Sequence, residues 1–108
     1  MSEQAKWGYR SILPIFDLEF LPSARKEWDK LDKSVRNQFA RKLAERLVAP
    51  RIASASLSGM ADCYKIKLRS AGYRLVYRVE DERVTVVVIA VGRRDRNAVY
   101  LAAAKRIG

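Results

Sequence analysis

The chain has 108 residues, with 22 lysines and arginines against 12 acidic residues and a formal net charge of +10. This length fits one domain with its own core, and the cationic excess favours a negatively charged partner such as nucleic acid, a membrane surface or an acidic protein. Histidine is absent and Cys63 is the single cysteine, which excludes histidine-dependent triads, histidine-ligated zinc and an internal disulfide. Acid–base chemistry would have to use lysine, arginine, tyrosine or carboxylates, and no cofactor or metal is expected.

The charge and hydropathy patterns also bear on domain organisation and location. Residues 1–14 are polar and irregular, and we predict an N-terminal extension there, ahead of one domain over 15–108. Residues 63–108 carry 11 basic and 4 acidic residues, so the second half holds most of the excess charge. No apolar run approaches the roughly 20 residues of a membrane span, and no signal-peptide pattern is present. A cytoplasmic protein is expected.

The first half of the domain predicts a strand and two helices. Residues 15–20 alternate weakly between apolar and acidic side chains, which is typical of a strand. Pro22 then opens a helical pattern whose apolar face comprises Ala24, Trp28 and Leu31. Ser34 is the predicted N-cap of a second helix, which ends at 48–49 before Pro50. Its apolar stripe is Val35, Phe39, Leu43 and Leu47, and the basic residues on the outer faces of both helices, Arg46 among them, are interpreted as solvated surface.

The second half predicts a three-stranded meander and a terminal helix. Strands are expected over about 63–69, 73–80 and 83–91, joined by a turn at Gly72 and an acidic turn at 80–82. The last strand is apolar on both faces, which suits a central position. A short helix follows through Tyr100. The fold class is therefore predicted to be α+β: an N-terminal strand, a two-helix hairpin, an antiparallel meander and a C-terminal helix, with the helices on one face of the sheet.

One face of the meander is cationic. Strand alternation places Lys65, Lys67 and Arg69 on the same side of the first strand, where neighbouring strands bring Arg74 within about 5 Å. Arg94 follows the last strand at the margin of the sheet, and Tyr100 lies in the next helix. The expected result is a groove that holds several cations and a phenol.

Such a groove suits RNA. The 2′-hydroxyl of RNA is an internal nucleophile, so cleavage requires only removal of its proton, stabilisation of a pentacoordinate phosphorane and protonation of the departing 5′-oxygen. Clustered lysines and arginines stabilise the phosphate charge, and their mutual repulsion lowers the pKa of a lysine or tyrosine. From the residues alone, a nucleic-acid-binding domain without catalysis remains the safer interpretation.

From about Leu18 to Ile107 the chain resembles the RelE family of bacterial toxins from RelBE toxin–antitoxin pairs. The resemblance rests on long segments: Lys26-Glu27-Trp28 with Lys30-Leu31, Pro50-Arg51-Ile52, Gly59-Met60, the block from Asp62 to Ser70, Gly72 to Tyr77, and Val91-Gly92 with Arg94, Arg96, Val99-Tyr100 and Lys105-Arg106-Ile107. It implies the RelE-like fold, an endoribonuclease that needs no metal and cuts mRNA in the ribosomal A site, and a RelB-like antitoxin as partner alongside the ribosome.

The resemblance also implies roles for individual residues. Lys65 and Arg74 would stabilise the phosphorane, Arg94 would assist the leaving 5′-oxygen, and either Tyr100 or Lys67 would take the 2′-hydroxyl proton. The other basic residues around the groove are predicted to contact RNA or the ribosome: Arg69, Arg78, Arg93 and Arg96. The chain departs from the family at Ser58, where the loop usually has an arginine. The alternatives are a ParE-like toxin that inhibits DNA gyrase, and an RNA- or ribosome-binding domain without activity.

Overall fold

The computed structural model describes residues 15–107. Its elements are β1 (Asp17–Phe20), α1 (Pro22–Asp29), α2 (Lys33–Val48), β2 (Cys63–Leu68), β3 (Tyr73–Glu80), β4 (Thr85–Arg93) and α3 (Ala98–Ile107), with single 3-10 turns between some of them. The α+β class and the predicted order of elements are confirmed. The predicted extension over residues 1–14 lies outside the described residues. In the part that is described, no helix is long and apolar enough to cross a membrane.

The four strands form one sheet in the order β1-β4-β3-β2. β1 runs parallel to β4, with Asp17 opposite Thr85, and the other neighbours are antiparallel. β4 is central, as its two apolar faces predict, and residues 85–91 are all buried. A bulge interrupts the β3–β4 ladder because Val76 pairs with Ala90 while Tyr77 pairs with Val88, which leaves Ile89 as the extra residue.

The sheet has a core on each face. The α1–α2 hairpin covers one face, where Phe39 and Leu43 pack with Ile66, Leu75 and Tyr77. On the other face α3 contributes buried residues, and that cluster comprises Cys63, Val76, Val87, Ile89, Ala90, Val99 and Ala103. The expectation that all helices share one face therefore holds for the hairpin and is corrected for α3. The physical reason is that β4 is apolar on both sides, so each side requires a cover.

Several element boundaries differ from the predictions, and the starts of α2 and β4 have clear local causes. α2 begins at Lys33, because the carbonyl of Asp32 accepts the first helical hydrogen bond from the Arg36 N–H at 2.9 Å. Ser34 lies inside the first turn and is not the N-cap. β4 begins at Thr85, two residues after the predicted start at 83. The reason is that Val84 closes the preceding turn in a left-handed conformation with φ 49°.

Candidate active site

Four of the five residues predicted to be catalytic border one cavity: Lys67, Arg74, Arg94 and Tyr100. A cavity of about 160 Å³ is lined by Lys67, Arg74, Arg94, Asn97, Val99 and Tyr100. Lys67 on β2 lies directly opposite Arg74 on β3. Like charges at opposite strand positions destabilise a strand pair, so this arrangement is better explained by function than by folding.

Arg94 is positioned by the turn between β2 and β3. Its backbone N–H donates a hydrogen bond to the carbonyl of Gly72 at 3.0 Å. Gly72 has φ +74°, and a Cβ at this position would lie 3.9 Å from Nε of Arg94. Glycine adopts this left-handed conformation without steric penalty. The turn therefore holds the backbone of Arg94 at the end of β4, where its side chain borders the cavity.

Tyr100 supplies the phenol. It lies in the first turn of α3, and the neighbouring Val99 and Ala103 are buried against the sheet. The Tyr100 hydroxyl is itself buried and has no hydrogen-bond partner among residues 15–107. A buried hydroxyl without a partner is uncommon in folded proteins, and a ligand in the cavity would supply the missing hydrogen bond.

Lys65 lies outside this cavity, in an adjoining groove. The groove measures about 290 Å³ and is lined by Arg46, Ser54, Ala55, Lys65, Lys67 and Arg69. Lys67 borders both spaces and so joins them. The charge of Lys65 is the largest cause of a lowered pKa at Lys67, followed by desolvation and by the charges of Arg69 and Arg74. A lysine with a lowered pKa is a better proton acceptor near neutral pH than an ordinary one.

Arg46 is a residue of this groove that the sequence reasoning placed on the solvated surface. Its Nη1 donates to the Tyr77 hydroxyl at 2.7 Å and to the Lys65 carbonyl at 3.2 Å, and its guanidinium lies 5.6 Å from the Tyr77 ring centroid. The Tyr77 hydroxyl in turn donates to the Pro50 carbonyl at 2.7 Å. The sequence feature that could have indicated this role is the position of Arg46 one residue before Leu47, beside the apolar stripe of α2.

Asn97 was also missed by the sequence reasoning. It lines the cavity and has φ 60°. Asparagine is among the residues that tolerate this left-handed conformation, so its position in the short segment between the last strand and the terminal helix was the available signal.

The four predicted RNA or ribosome contacts fall into two groups. Arg69 lines the groove and Arg96 is exposed in the segment before α3. Arg78 instead donates two hydrogen bonds to Glu80, at 3.1 and 2.7 Å. Arg93 places its guanidinium 5.3 Å from the centroid of the Tyr73 ring. The structure therefore does not bring Arg78 or Arg93 to the cavity.

The chemistry of this site is cationic and phenolic. None of the residues that line the cavity is a carboxylate. Among the described residues, no group of three or more Cys, Asp or Glu side chains could hold a metal ion. Cys63 is buried, and burial raises the pKa of its thiol, which disfavours the nucleophilic thiolate. The arrangement can bind a phosphate, stabilise additional negative charge on it and exchange protons through Lys67 or Tyr100.

The fold is that of a class of bacterial toxins. A family model described as the ParE toxin of type II toxin–antitoxin systems matches residues 18–98, and the chain belongs to this toxin family. Within the family it is similar to RelE. The mRNA interferase toxin RelE of Escherichia coli K12 is 59% identical over 90 residues, which cover 83% of this chain and 95% of that protein.

Solved structures give the same result. An arginine-to-alanine double variant of E. coli RelE in the free state has a TM-score of 0.81 and 54% identity, covering 87% of this chain and 99% of that one. RelE from the intact E. coli RelBE toxin–antitoxin complex has a TM-score of 0.73 and 57% identity, covering 75% of this chain and 99% of that one. The resemblance read from the sequence is confirmed.

Proposed function

We propose that this protein is the toxin of a type II toxin–antitoxin system and that it cleaves mRNA displayed in the ribosomal A site. The observation that carries the proposal is the cavity in which Lys67, Arg74, Arg94 and Tyr100 meet, in a chain similar to an mRNA interferase. The proposed partners in the reaction are the ribosome and mRNA, and the proposed location is the cytoplasm. The functional domain is the predicted 15–108.

The proposed reaction uses the RNA's own nucleophile. Tyr100 or Lys67 takes the proton of the 2′-hydroxyl, whose oxygen attacks the adjacent phosphorus. Arg74 and Lys65 stabilise the charge on the phosphorane, and Arg94 assists the departing 5′-oxygen. The P–O5′ bond breaks, which leaves a 2′,3′-cyclic phosphate, and the 5′-oxygen takes a proton from water to become a hydroxyl. The lowered pKa of Lys67 supports that lysine as the base, and the unpartnered hydroxyl of Tyr100 supports the tyrosine. Both candidates are retained.

Orientation of the RNA is assigned to the ribosome. Cationic groups stabilise a phosphorane in any RNA that reaches them. A cavity of about 160 Å³ holds only a small part of an RNA chain, so by itself it would align the 2′-oxygen poorly. Arg69 and Arg96 are the proposed contacts to RNA or the ribosome. Arg78 and Arg93 stay predictions of the sequence pattern, since Glu80 and the Tyr73 ring already engage them.

A RelB-like antitoxin is the proposed inhibitory partner. E. coli RelE has been solved in the RelBE toxin–antitoxin complex. With a net charge of +10 on this chain, an acidic or amphipathic antitoxin segment that covers the basic site would be complementary to it.

Primer extension on programmed ribosomes tests the proposal. The wild-type protein is expected to cut A-site codons on ribosome-bound mRNA and to leave the same mRNA largely intact when it is free. Arg94→Ala is expected to lower the cleavage rate by about 100-fold or more. Arg83→Ala is the matched control, because Arg83 pairs with Glu19 and Glu80 far from the cavity. Equal rates for wild type and Arg94→Ala would contradict the proposal.

The family model is described as the ParE toxin, which keeps one further candidate function from the sequence analysis, a ParE-like inhibition of DNA gyrase. A supercoiling assay separates the two: the proposed interferase leaves gyrase active. Ribosome binding that weakens with salt, in the absence of any cleavage, would instead identify a binding protein without catalysis.

A further inference from the structure

β4 continues beyond the end of β1, so part of its backbone edge has no neighbouring strand. The side chains of one ion pair form hydrogen bonds with that part of the edge. β1 ends at Phe20, opposite Val88. Beyond that point the Val91 N–H donates to Oε1 of Glu27 at 3.1 Å, and the carbonyl of the bulge residue Ile89 accepts from Nη1 of Arg106 at 2.9 Å. Glu27 belongs to α1 and Arg106 to α3.

The two side chains also bind each other through two parallel hydrogen bonds. Nη1 and Nη2 of Arg106 donate to Oε1 and Oε2 of Glu27, each at 2.9 Å. The Glu27 and Arg106 side chains are only 32% and 23% exposed. Burial alone would raise the pKa of Glu27, but the hydrogen bonds from Arg106 and Val91 outweigh it and lower the pKa. Such a bidentate, partly buried ion pair restricts the relative positions of its two side chains more than an exposed pair does.

The rest of α3 contributes few large side chains to the core. Val99 and Ala103 are its buried residues, and Tyr100, Ala102 and Ile107 pack against the same cluster while partly exposed. A cleft of about 200 Å³ remains beside the helix, bordered by Glu27, Val91, Ala98 and Ala102 among others. Apolar packing of this kind limits sliding and rotation of a short helix poorly, because few side chains interdigitate.

We infer that Glu27 and Arg106 are positioning residues that hold Tyr100 in the cavity by fixing α3 against β4. Arg106 is at the C-terminal end of the helix and Tyr100 near its start, about 9 Å apart along the axis at 1.5 Å per residue. The ion pair thus fixes the C-terminal end of α3, and because the helix is stiff it also fixes the position of Tyr100 near the other end. The inference rests on the proposed function, since the positioning serves RNA cleavage.

Arg106→Ala tests the inference, with Lys105→Ala as the matched control on the same helix. We expect Arg106→Ala to lower kcat on programmed ribosomes by about tenfold or more, because a small displacement of a catalytic group has effects of this size. KM should change little, since the lysines and arginines of β2 and β3 are untouched. Lys105 is exposed and outside the ion pair, so Lys105→Ala should keep the wild-type kcat.

A double-mutant cycle identifies the route of the effect. In a Tyr100→Phe background, Arg106→Ala is expected to add little further loss, because both changes remove the same contribution. Losses that multiply would show that Arg106 acts elsewhere and would overturn the inference. If Arg106→Ala does not fold, Arg106→Lys, which keeps the charge and loses the bidentate geometry, is expected to give a smaller loss of the same kind.

Amide hydrogen exchange provides a measurement that does not depend on RNA. Faster exchange is expected in α3 and at the Val91 amide in Arg106→Ala and in Glu27→Gln, with the exchange of β3 and of the rest of β4 unchanged. Wild-type protein that cuts no mRNA would contradict the proposed function, whatever happens to α3. A wild-type kcat in Arg106→Ala, or α3 as protected as before, would overturn the positioning role while leaving the proposed function intact.

Discussion

The two ends of β3 carry the same side chain in opposite surroundings. At one end Arg74 lies opposite Lys67 and borders a cavity with Arg94. At the other end Arg78 is bound twice by Glu80, which also accepts a hydrogen bond from Arg83 at 2.7 Å. We refer to these as the cationic end and the paired end of the sheet.

Charge balance distinguishes the two ends. At the paired end Arg51 bonds Asp62 at 3.0 Å and Asp81 at 2.8 Å, and Arg83 bonds Glu19 at 3.0 Å. At the cationic end no ion pair joins Lys65, Lys67, Arg74 or Arg94 to any carboxylate within residues 15–107. The number of basic residues is therefore a poor guide to a binding site, whereas basic residues without local acidic partners mark where a polyanion can bind.

The largest expected effect compares two substitutions on one strand. Arg74→Ala should lower kcat for cleavage by about 100-fold or more, because it removes charge stabilisation at the cavity. Arg78→Ala should leave kcat unchanged, with any effect confined to KM. Single-turnover cleavage on programmed ribosomes measures both. Similar losses of kcat in the two variants would remove the functional distinction between the ends.

A second prediction compares two stacked tyrosines that lie opposite each other on β2 and β3, one bonded to Arg46 of the groove and the other to Arg51 of the paired end. Tyr77 and Tyr64 lie with ring centroids 5.7 Å apart. Tyr77→Phe removes the shorter of two hydrogen bonds to the Pro50 carbonyl, which keeps the Ile52 N–H at 3.2 Å, and leaves half-buried Arg46 without one acceptor. The free energy of unfolding should fall by about 1–3 kcal/mol. Tyr64→Phe should have a smaller effect, because Arg51 keeps Asp62 and Asp81. Urea denaturation at pH 7 tests the order, and a larger loss in Tyr64→Phe would contradict it.

A third prediction concerns repulsion within the cationic end. Lys65→Ala should raise the pKa of Lys67 towards its ordinary value, because the charge of Lys65 is the main cause of its lowering. NMR titration of the Lys67 ammonium measures this directly. If Lys67 is the general base, the acid limb of the kcat/KM profile moves to higher pH in this variant. A limb that stays in place while the pKa rises assigns the base to Tyr100.

The smallest effect is expected at the paired end and depends on pH. The pKa values of Glu19 and Glu80 are lowered in the folded state, mainly by hydrogen bonds from Arg83. A lowered folded-state pKa contributes stability above the unfolded-state value, and that contribution is lost as pH falls through the folded-state value. Arg83→Ala should therefore lower the urea midpoint slightly at pH 7, and the difference from wild type should shrink as the pH falls through the acidic range. A constant difference would contradict the assignment.

Much of the fold followed from sequence patterns because those patterns were strong. The hydrophobic stripe of α2 and the doubly apolar β4 each allow one structural solution, and the structure adopts it. The face covered by α3 was not predictable in the same way. Its few buried positions, Val99 and Ala103, give a short apolar stripe that fits either side of a sheet.

The candidate site was predictable to the extent that strand alternation determines it. Alternation alone placed Lys65 and Lys67 on one face, and antiparallel pairing placed Arg74 beside them. Arg46 and Asn97 were missed because their roles depend on tertiary contacts and a left-handed backbone, which alternation does not encode. Arg78 has the right residue type and strand, and only its hydrogen bonds to Glu80, two residues further along the same strand, show that its charge is compensated.

The parallel pairing of β1 with β4 has a consequence for synthesis of the protein. Asp17 pairs with Thr85, so the first strand has no neighbour until most of the chain has been made. Contacts between residues so far apart in sequence slow folding, because a long loop must close before any stabilisation is gained. The cavity needs Arg94 and Tyr100, which are made later still. A growing chain of this protein therefore cannot complete the proposed cleavage site before Tyr100 has been added.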